Sequence, residues 1–151
     1  MRKSQMERKG ERQGIIMKKK GILNADIARV LAYMGHTDQI AVADCGLPIP
    51  EETERIDLAV RLGEPSFLSV LEAVLDDMEV EAVVLAEEIR THNAQLLERI
   101  ELLLLGKGVD VELQFVPHSL LKEQTKQCRA VVRTGESSPY ANIILQSGCI
   151  F

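Results

Sequence analysis

The chain has 151 residues, enough for one domain that buries about 70% of its unfolded surface. Apolar residues make up 46% and aromatics only 3%, with no Trp, so the core must be aliphatic. The net charge of −5 is unevenly spread, because residues 1–20 hold eight Lys or Arg against two Glu, a net +6 that leaves −11 for residues 21–151. The basic tail has no interleaved aromatics, which sets nucleic acid aside, and no apolar run approaches the ~20 residues of a membrane span.

No signal-peptide pattern precedes the first predicted element. Met17-Lys18-Lys19-Lys20-Gly21 looks like a natural start, and Lys9-Gly10-Glu11 upstream could be a translated ribosome-binding purine run. Residues 1–16 are therefore expected to be a disordered extension of a domain at 17–151. Asn24 is placed to cap a helix whose apolar positions Ile27, Val30, Leu31 and Met34 follow helical spacing, with Gly35 as its stop. That sets His36 just past a helix C-terminus, where the dipole favours an imidazolium. A short buried strand over residues 39–43 should end at Asp44, and the prolines of Gly46-Leu47-Pro48-Ile49-Pro50 forbid helix after it.

Strict alternation of Ile56, Leu58 and Val60 predicts a strand over 55–61. Ser66 opens a helix through Phe67, Val70, Leu71, Val74, Leu75 and Met78. A buried strand follows at 82–86, then a helix opened by Asn93 that stops at Gly106. Val109, Val111, Leu113 and Phe115 alternate as a strand ending at Pro117, and Ser119 is placed to cap a short helix to about Cys128. Two closing strands, around Ala130-Val131-Val132 and Ile143-Ile144-Leu145, flank a polar, turn-rich loop that contains Gly135 and Pro139. Strands alternating with helices predict an α/β fold: a single-domain three-layer α/β/α sandwich around a largely parallel or mixed sheet.

The three cysteines, Cys45, Cys128 and Cys149, are odd in number and lack C-x-x-C spacing, so a reducing cytoplasm fits better than a disulfide framework. Cys45 follows Asp44 directly, and a small buried thiol is the simpler reading. Tyr140 and Asn142 lie two apart, so in extended backbone both would leave one face, offering a phenol and a carboxamide to a hydroxyl-rich ligand. His36 can give or take a proton near neutral pH, and with Asp44 in one cleft it would form an acid/base pair. A solvated loop histidine is the competing account. His92 reads as a helix-start or surface residue. No H-E-x-x-H or paired-Cys spacing supports a metal at His36, Asp38, Asp44, His92 and His118, and Gly106-Lys107-Gly108 lacks the spacing of a phosphate loop. Asp38 is expected to orient His36 or to cap the next turn.

Gly35-His36-Thr37-Asp38, then Asp44-Cys45-Gly46-Leu47-Pro48-Ile49-Pro50, then the segment from Arg133-Thr134-Gly135-Glu136 to Tyr140-Ala141-Asn142 resemble, in this order and spacing, the D-ribose pyranase family. The similarity runs from Met17 to Phe151. The related L-fucose mutarotases share Gly-His-x-Asp and Thr-Gly-Glu but lack the Gly-Leu-Pro-Ile-Pro run. The resemblance implies an isomerase of D-ribose that opens and recloses the sugar ring without a cofactor, in the cytoplasm. It further implies His36 as the proton donor, with Asp44, His118, Tyr140, Ala141 and Asn142 as sugar-binding residues. Lys122, one helical turn after His118, would share its face and reach a hydroxyl. The family's decamers of two stacked pentameric rings imply a homo-oligomer with sites at subunit boundaries, Tyr140 and Asn142 completing a neighbour's pocket around His36 and Asp44. Without Trp, contacts to a sugar would be mostly polar.

Because no apolar periodicity precedes Met17, a chain beginning at Met17 should keep the melting temperature and activity of the full chain. A large loss of either in that shortened protein would assign a role to residues 1–16.

Overall fold

The computed structural model of the chain describes residues 17–151, so the expected N-terminal extension lies outside the described residues. Helix α1 (Ala25–Tyr33) starts where Asn24 Oδ1 accepts the Ile27 amide at 2.9 Å, and it buries Ile27 and Val30. Strands β1 (Gln39–Ala43) and β2 (Glu54–Asp57) follow. Ser66 Oγ takes the Ser69 amide at 3.2 Å and opens α2 (Phe67–Asp77), whose buried Phe67, Val70, Leu71, Val74 and Leu75 form the predicted stripe. Next come β3 (Val80–Ala86), a single helical turn α3 (Ile89–His92) and α4 (Ala94–Gly106), which buries Leu96, Ile100 and Leu104. The chain closes with β4 (Leu113–Val116), α5 (His118–Gln124), a 3₁₀ turn (Thr125–Gln127), β5 (Ala130–Arg133) and β6 (Ile143–Ser147).

The strands form one six-stranded sheet in the order β2-β5-β1-β6-β3-β4. Pairs β2/β5, β5/β1 and β3/β4 are parallel, whereas β6 lies antiparallel between β1 and β3, so the sheet is mixed. Side chains alternate between its faces, as a pleat requires. Ile40, Val42, Val83, Leu85, Val132, Ile143 and Leu145 meet α1, α2 and α4 in the main core. Ala41, Ala43, Val84, Ala86, Val131 and Ile144 meet Leu121 of α5 and Leu47 on the other face. Helices thus cover both faces, and the predicted three-layer α/β/α sandwich is the observed one. The second face is paved with smaller residues, which lets the short α5 lie close to the strand ends.

Two predicted strands are shorter than their alternation suggested. β2 stops at Asp57, whose Oδ1 accepts the Ala59 amide at 3.0 Å and turns the chain, leaving Val60 and Leu62 exposed. β4 begins only at Leu113, because its partner β3 pairs with it from Val83 onward, while Val109 and Val111 pack against the core without joining the sheet. Gly35 stops α1 differently from expectation, since Met34 is the cap residue and its amide bonds back to Val30 and Leu31. Ser119 is not a cap, because α5 begins one residue earlier, at His118.

Gly135 locks the loop after β5 against the turn after β2. Its amide bonds to the Pro65 carbonyl at 2.8 Å and its carbonyl takes the Gly63 amide at 2.6 Å. A methyl group at Gly135 would strike the Glu64 carbonyl and lie 2.6 Å from the Arg61 carbonyl. Backbone cannot swing aside as a flexible side chain does, so Gly135→Ala should destabilise the protein by about 1–3 kcal/mol, the usual cost of overpacking. Urea unfolding measures this, and an unchanged midpoint would show that the two loops are not rigidly joined.

Candidate functional site

Because β6 is antiparallel, its first residues arrive where β1 and β3 end. The loops after β1, β3, β4 and β5 meet the start of β6 there, at the carboxyl ends of the parallel strands, where open α/β sheets build their sites. Asp44 follows β1 by one residue and Asn142 precedes β6 by one. Asn142 Oδ1 accepts the Asp44 amide at 2.9 Å, and Asn142 Nδ2 donates to Asp44 Oδ2 at 3.1 Å. Asn142 is 1% exposed, so its carboxamide is a fixed element of the fold as well as of the site. Asp44 Oδ1 in turn accepts the Gly46 amide at 3.0 Å, which shapes the start of the Gly46–Pro50 loop.

Tyr140 lies beside this pair with φ of 56°, in the left-handed region that a residue with a side chain seldom occupies. The extended backbone expected across Tyr140 and Asn142 is therefore replaced by a turn. His118 meets the Tyr140 ring edge-on at 5.1 Å between centroids, and His92 tilts against the same ring at 5.5 Å. His118 Nδ1 is buried with no hydrogen-bond partner, an unused donor or acceptor beside a phenol. The reason His118 sits there is Glu88, whose two carboxylate oxygens accept the His118 amide at 3.0 and 3.1 Å. Glu88 thereby does from outside what no side chain does from within α5. Lys122 is half-buried one turn later, and lines a groove of about 580 Å³ with Pro48, Ile49, Pro50 and Ser119, over the loop that begins at Asp44. Ala141 is fully buried between Tyr140 and Asn142.

His36 is not in this cluster. It precedes β1, whereas Asp44 follows it, so five residues of strand, about 16 Å at ~3.3 Å per residue, separate the two. The expected cleft holding His36 and Asp44 of one chain does not form, and Asp44 instead shares its own chain's Asn142. His36 lies at the other end of β6, where the Thr37 amide bonds to the Ser147 carbonyl at 2.9 Å. It is half-exposed, its Nε2 stands 2.8 Å from Glu81 Oε2, and it borders a cavity of about 390 Å³ with Met34, Ser147, Gly148, Cys149 and Phe151. Asp38 does not touch it. Asp38 accepts the Gly35 amide and pairs with Arg129, and these two contacts, in that order, hold its carboxyl below the usual carboxylate range. Asp38 therefore closes the turn.

Among the described residues, no three His, Cys, Asp or Glu side chains gather closely enough to hold a metal ion, and no helix is long and apolar enough to cross a membrane. Burial pushes the Cys128 thiol up to about 12, so it stays protonated and inert. Sequence reasoning missed Glu88, Glu81 and the contact of His92 with Tyr140. Each stands in a charged or polar stretch that reads as surface, and only the pairing of β3 with β4 and β6 reveals their partners.

Fixed polar groups with unspent hydrogen-bonding capacity at strand ends make this an α/β protein whose site suits a small hydroxyl-bearing molecule. The sequence profile of the RbsD / FucU transport protein family matches residues 17–150, and the chain belongs to that family. It is 55% identical over 135 residues to the D-ribose pyranase of Bacillus cereus, covering 89% of this chain and all of the relative. It is 54% identical, with the same coverage, to the D-ribose pyranase of Bacillus cytotoxicus. Among solved structures, Bacillus subtilis RbsD complexed with D-ribose matches with a TM-score of 0.84 at 42% identity, covering 89% of this chain and 100% of that one. The fucose mutarotase of Streptococcus pneumoniae in complex with L-fucose shares the fold, with a TM-score of 0.71 at 23% identity over 85% of this chain and 95% of that one.

Asn142→Ala should cost about 1–3 kcal/mol of unfolding free energy, because the Asp44 amide and carboxylate lose their shared partner. Asn142→Asp would set a second carboxylate where Asn142 Nδ2 now donates to Asp44 at 3.1 Å. Its penalty should be largest at neutral pH and ease below about pH 5, where one shared proton restores the hydrogen bond. Denaturation at pH 5 and 7 checks both variants, and a pH-independent cost for Asn142→Asp would contradict the geometry.

Proposed function

We propose that this protein interconverts the pyranose and furanose forms of D-ribose, taking β-D-ribopyranose to β-D-ribofuranose. The observation that carries this reading is the 55% identity to a D-ribose pyranase over that enzyme's whole length. The local chemistry supports it. Asp44 and the Tyr140 phenol offer donors and acceptors to the hydroxyls, with Asn142 holding Asp44 and His118 packed against the Tyr140 ring. Lys122 and the Tyr140-Ala141-Asn142 backbone would complete the binding set.

Ring opening breaks the C1–O5 bond. O5 keeps the electron pair and takes a proton, while the anomeric hydroxyl gives one up as C1=O1 forms. After rotation, O4 attacks C1 and loses its proton, and O1 regains one, so the cycle needs no net proton, oxidant or covalent nucleophile. General acid and base catalysis of about 10²–10⁴-fold over solvent is enough for such a step. His36 is the proposed proton donor to the ring oxygen. Since His36 and Asp44 lie at opposite ends of β1 in one chain, His36 of the partner subunit would complete the site. This assigns the earlier expectation a different division: Asp44, His118, Tyr140 and Asn142 from one copy, His36 from the next.

The same division favours an assembly of many copies, and we propose the decamer of two stacked pentameric rings, with a site at each boundary. Leu102, Leu105, Val60, Leu62, Ile150 and Phe151, all exposed in the single chain, supply apolar surface for it. The free thiols of Cys45, Cys128 and Cys149 favour the cytoplasm. A second reading, a ribose-binding protein without catalysis, is favoured only by the family's description as transport proteins. Saturation-transfer NMR on D-ribose, with L-fucose as comparison, separates ring exchange from binding and from anomer exchange.

His36→Ala should slow pyranose–furanose exchange by about 10²–10⁴-fold and change ribose affinity far less. Wild-type exchange in that variant would move the acid elsewhere, to His118 first. The sedimentation mass of a monomer or dimer in the active protein would contradict the ring assembly.

A further inference from the structure

Glu81 occupies an irregular place in β3. The pairing with β6 steps from Val80 opposite Ser147 to Ala82 opposite Gln146, so Glu81 is the extra residue of a β-bulge. In an unbroken strand, residue 81 would share the face of Val83 and Leu85 and point into the main core. The bulge shifts the phase, so that Val80 and Val83 both reach that core and Glu81 is turned out. Its carboxylate then bridges two partners. Oε1 accepts Gln146 Nε2 at 2.8 Å, and Oε2 lies 2.8 Å from His36 Nε2. Gln146 is itself oriented, because its Oε1 accepts Gln39 Nε2 at 3.2 Å. Behind Glu81 the chain closes tightly, since a Cβ at Gly148 would sit 3.2 Å from Glu81 Cβ.

A carboxylate only accepts, so the atom facing it on His36 must be a donor. The hydrogen bond from Gln146, and then the one from His36, hold the Glu81 carboxyl below its ordinary range, which keeps it ionised at neutral pH. A neutral imidazole has one N–H, and here it belongs to Nε2. The other carboxylate nearby, Asp38, is occupied by Gly35 and Arg129.

We propose that Glu81, displaced onto the bulge, is the positioning residue of His36: it accepts the Nε2–H and so makes Nδ1 the nitrogen that, in the protonated ring, gives its proton to the sugar's ring oxygen and takes one back on reclosure. The assignment rests on the reading of His36 as proton carrier. It deepens that reading, because a ring that rotated freely on a half-exposed loop would present either nitrogen. When Nδ1 takes a proton, the resulting imidazolium faces an anion already in place.

The test uses the full-length assembled protein with Glu81→Ala, Glu81→Gln and His36→Ala. Glu81→Ala should lower kcat for ribose exchange about 10–100-fold with little change in KM, and the neutral hydrogen-bond acceptor of Glu81→Gln should recover part of that loss. Proton–nitrogen NMR of histidine-labelled protein, with the three histidines assigned by single replacement, reads the contact without reference to activity. A downfield, hydrogen-bonded Nε2–H of His36 should be present in the wild type and lost in Glu81→Ala. If Glu81→Ala keeps both that signal and kcat while His36→Ala loses exchange, the role of Glu81 is overturned and the proton carrier stands. A Glu81→Gln variant no better than Glu81→Ala also overturns positioning. Wild-type exchange in His36→Ala overturns the proton carrier itself, and the inference with it.

Discussion

The reversed direction of β6 is the constraint on which everything else depends. A parallel strand between β1 and β3 would start at the end of the sheet where His36 lies. Running antiparallel, β6 begins at the carboxyl ends of its neighbours, so Asn142 meets Asp44 there. It finishes at their amino ends, so Gln146 meets Glu81, and the Ser147 carbonyl holds the Thr37 amide beside His36. One five-residue strand therefore holds two polar clusters, one at each of its ends. Each is fixed by hydrogen bonds to a strand end, a firmer support than a free loop gives.

The two faces of the sheet divide the remaining work. The face toward α1, α2 and α4 carries large aliphatic side chains whose burial contributes about 1.5–3 kcal/mol each, and this is where stability resides. The opposite face is lined by Ala41, Ala43 and Ala86 and covered by one short helix. Small residues there let α5 approach, and Glu88 sets where it starts. His118 thus reaches Tyr140 through a backbone contact, from a carboxylate that never touches the phenol.

Much of this was legible in the sequence. Asn24 and Ser66 announce their helices, the buried runs at 39–43 and 82–86 announce their strands, and the polar loop between Arg133 and Ile143 stands out between apolar flanks. Alternation misled at Val60 and Val109, where a period of two persists beyond the residues that find a strand partner. The grouping of His36 with Asp44 does not hold within one chain, for a geometric reason. Eight positions apart looks close, but a strand between two residues carries them to opposite ends of the sheet. Glu81 was illegible because a bulge is a property of pairing, and a single strand's sequence does not reveal which residue its neighbour will skip. Glu88 and His92 stand among charges that read as solvent-facing until β4 brings His118 beside them.

The proposed site draws His36 from one copy and Asp44 with Asn142 from another. The decisive measurement is ribose exchange by co-expressed chains, one with His36→Ala and one with Asn142→Ala, each expected to be impaired on its own because it lacks one half of the proposed site. Mixed rings would pair the intact His36 of one chain with the intact Asn142 of the other at about a quarter of the boundaries for random mixing around a cyclic assembly. Ribose exchange in the co-assembled protein should therefore rise well above either variant alone, to roughly that fraction of wild type. If the mixed assembly is no more active than its parents, His36 and Asn142 do not meet across a boundary, and the division of the site between copies is wrong.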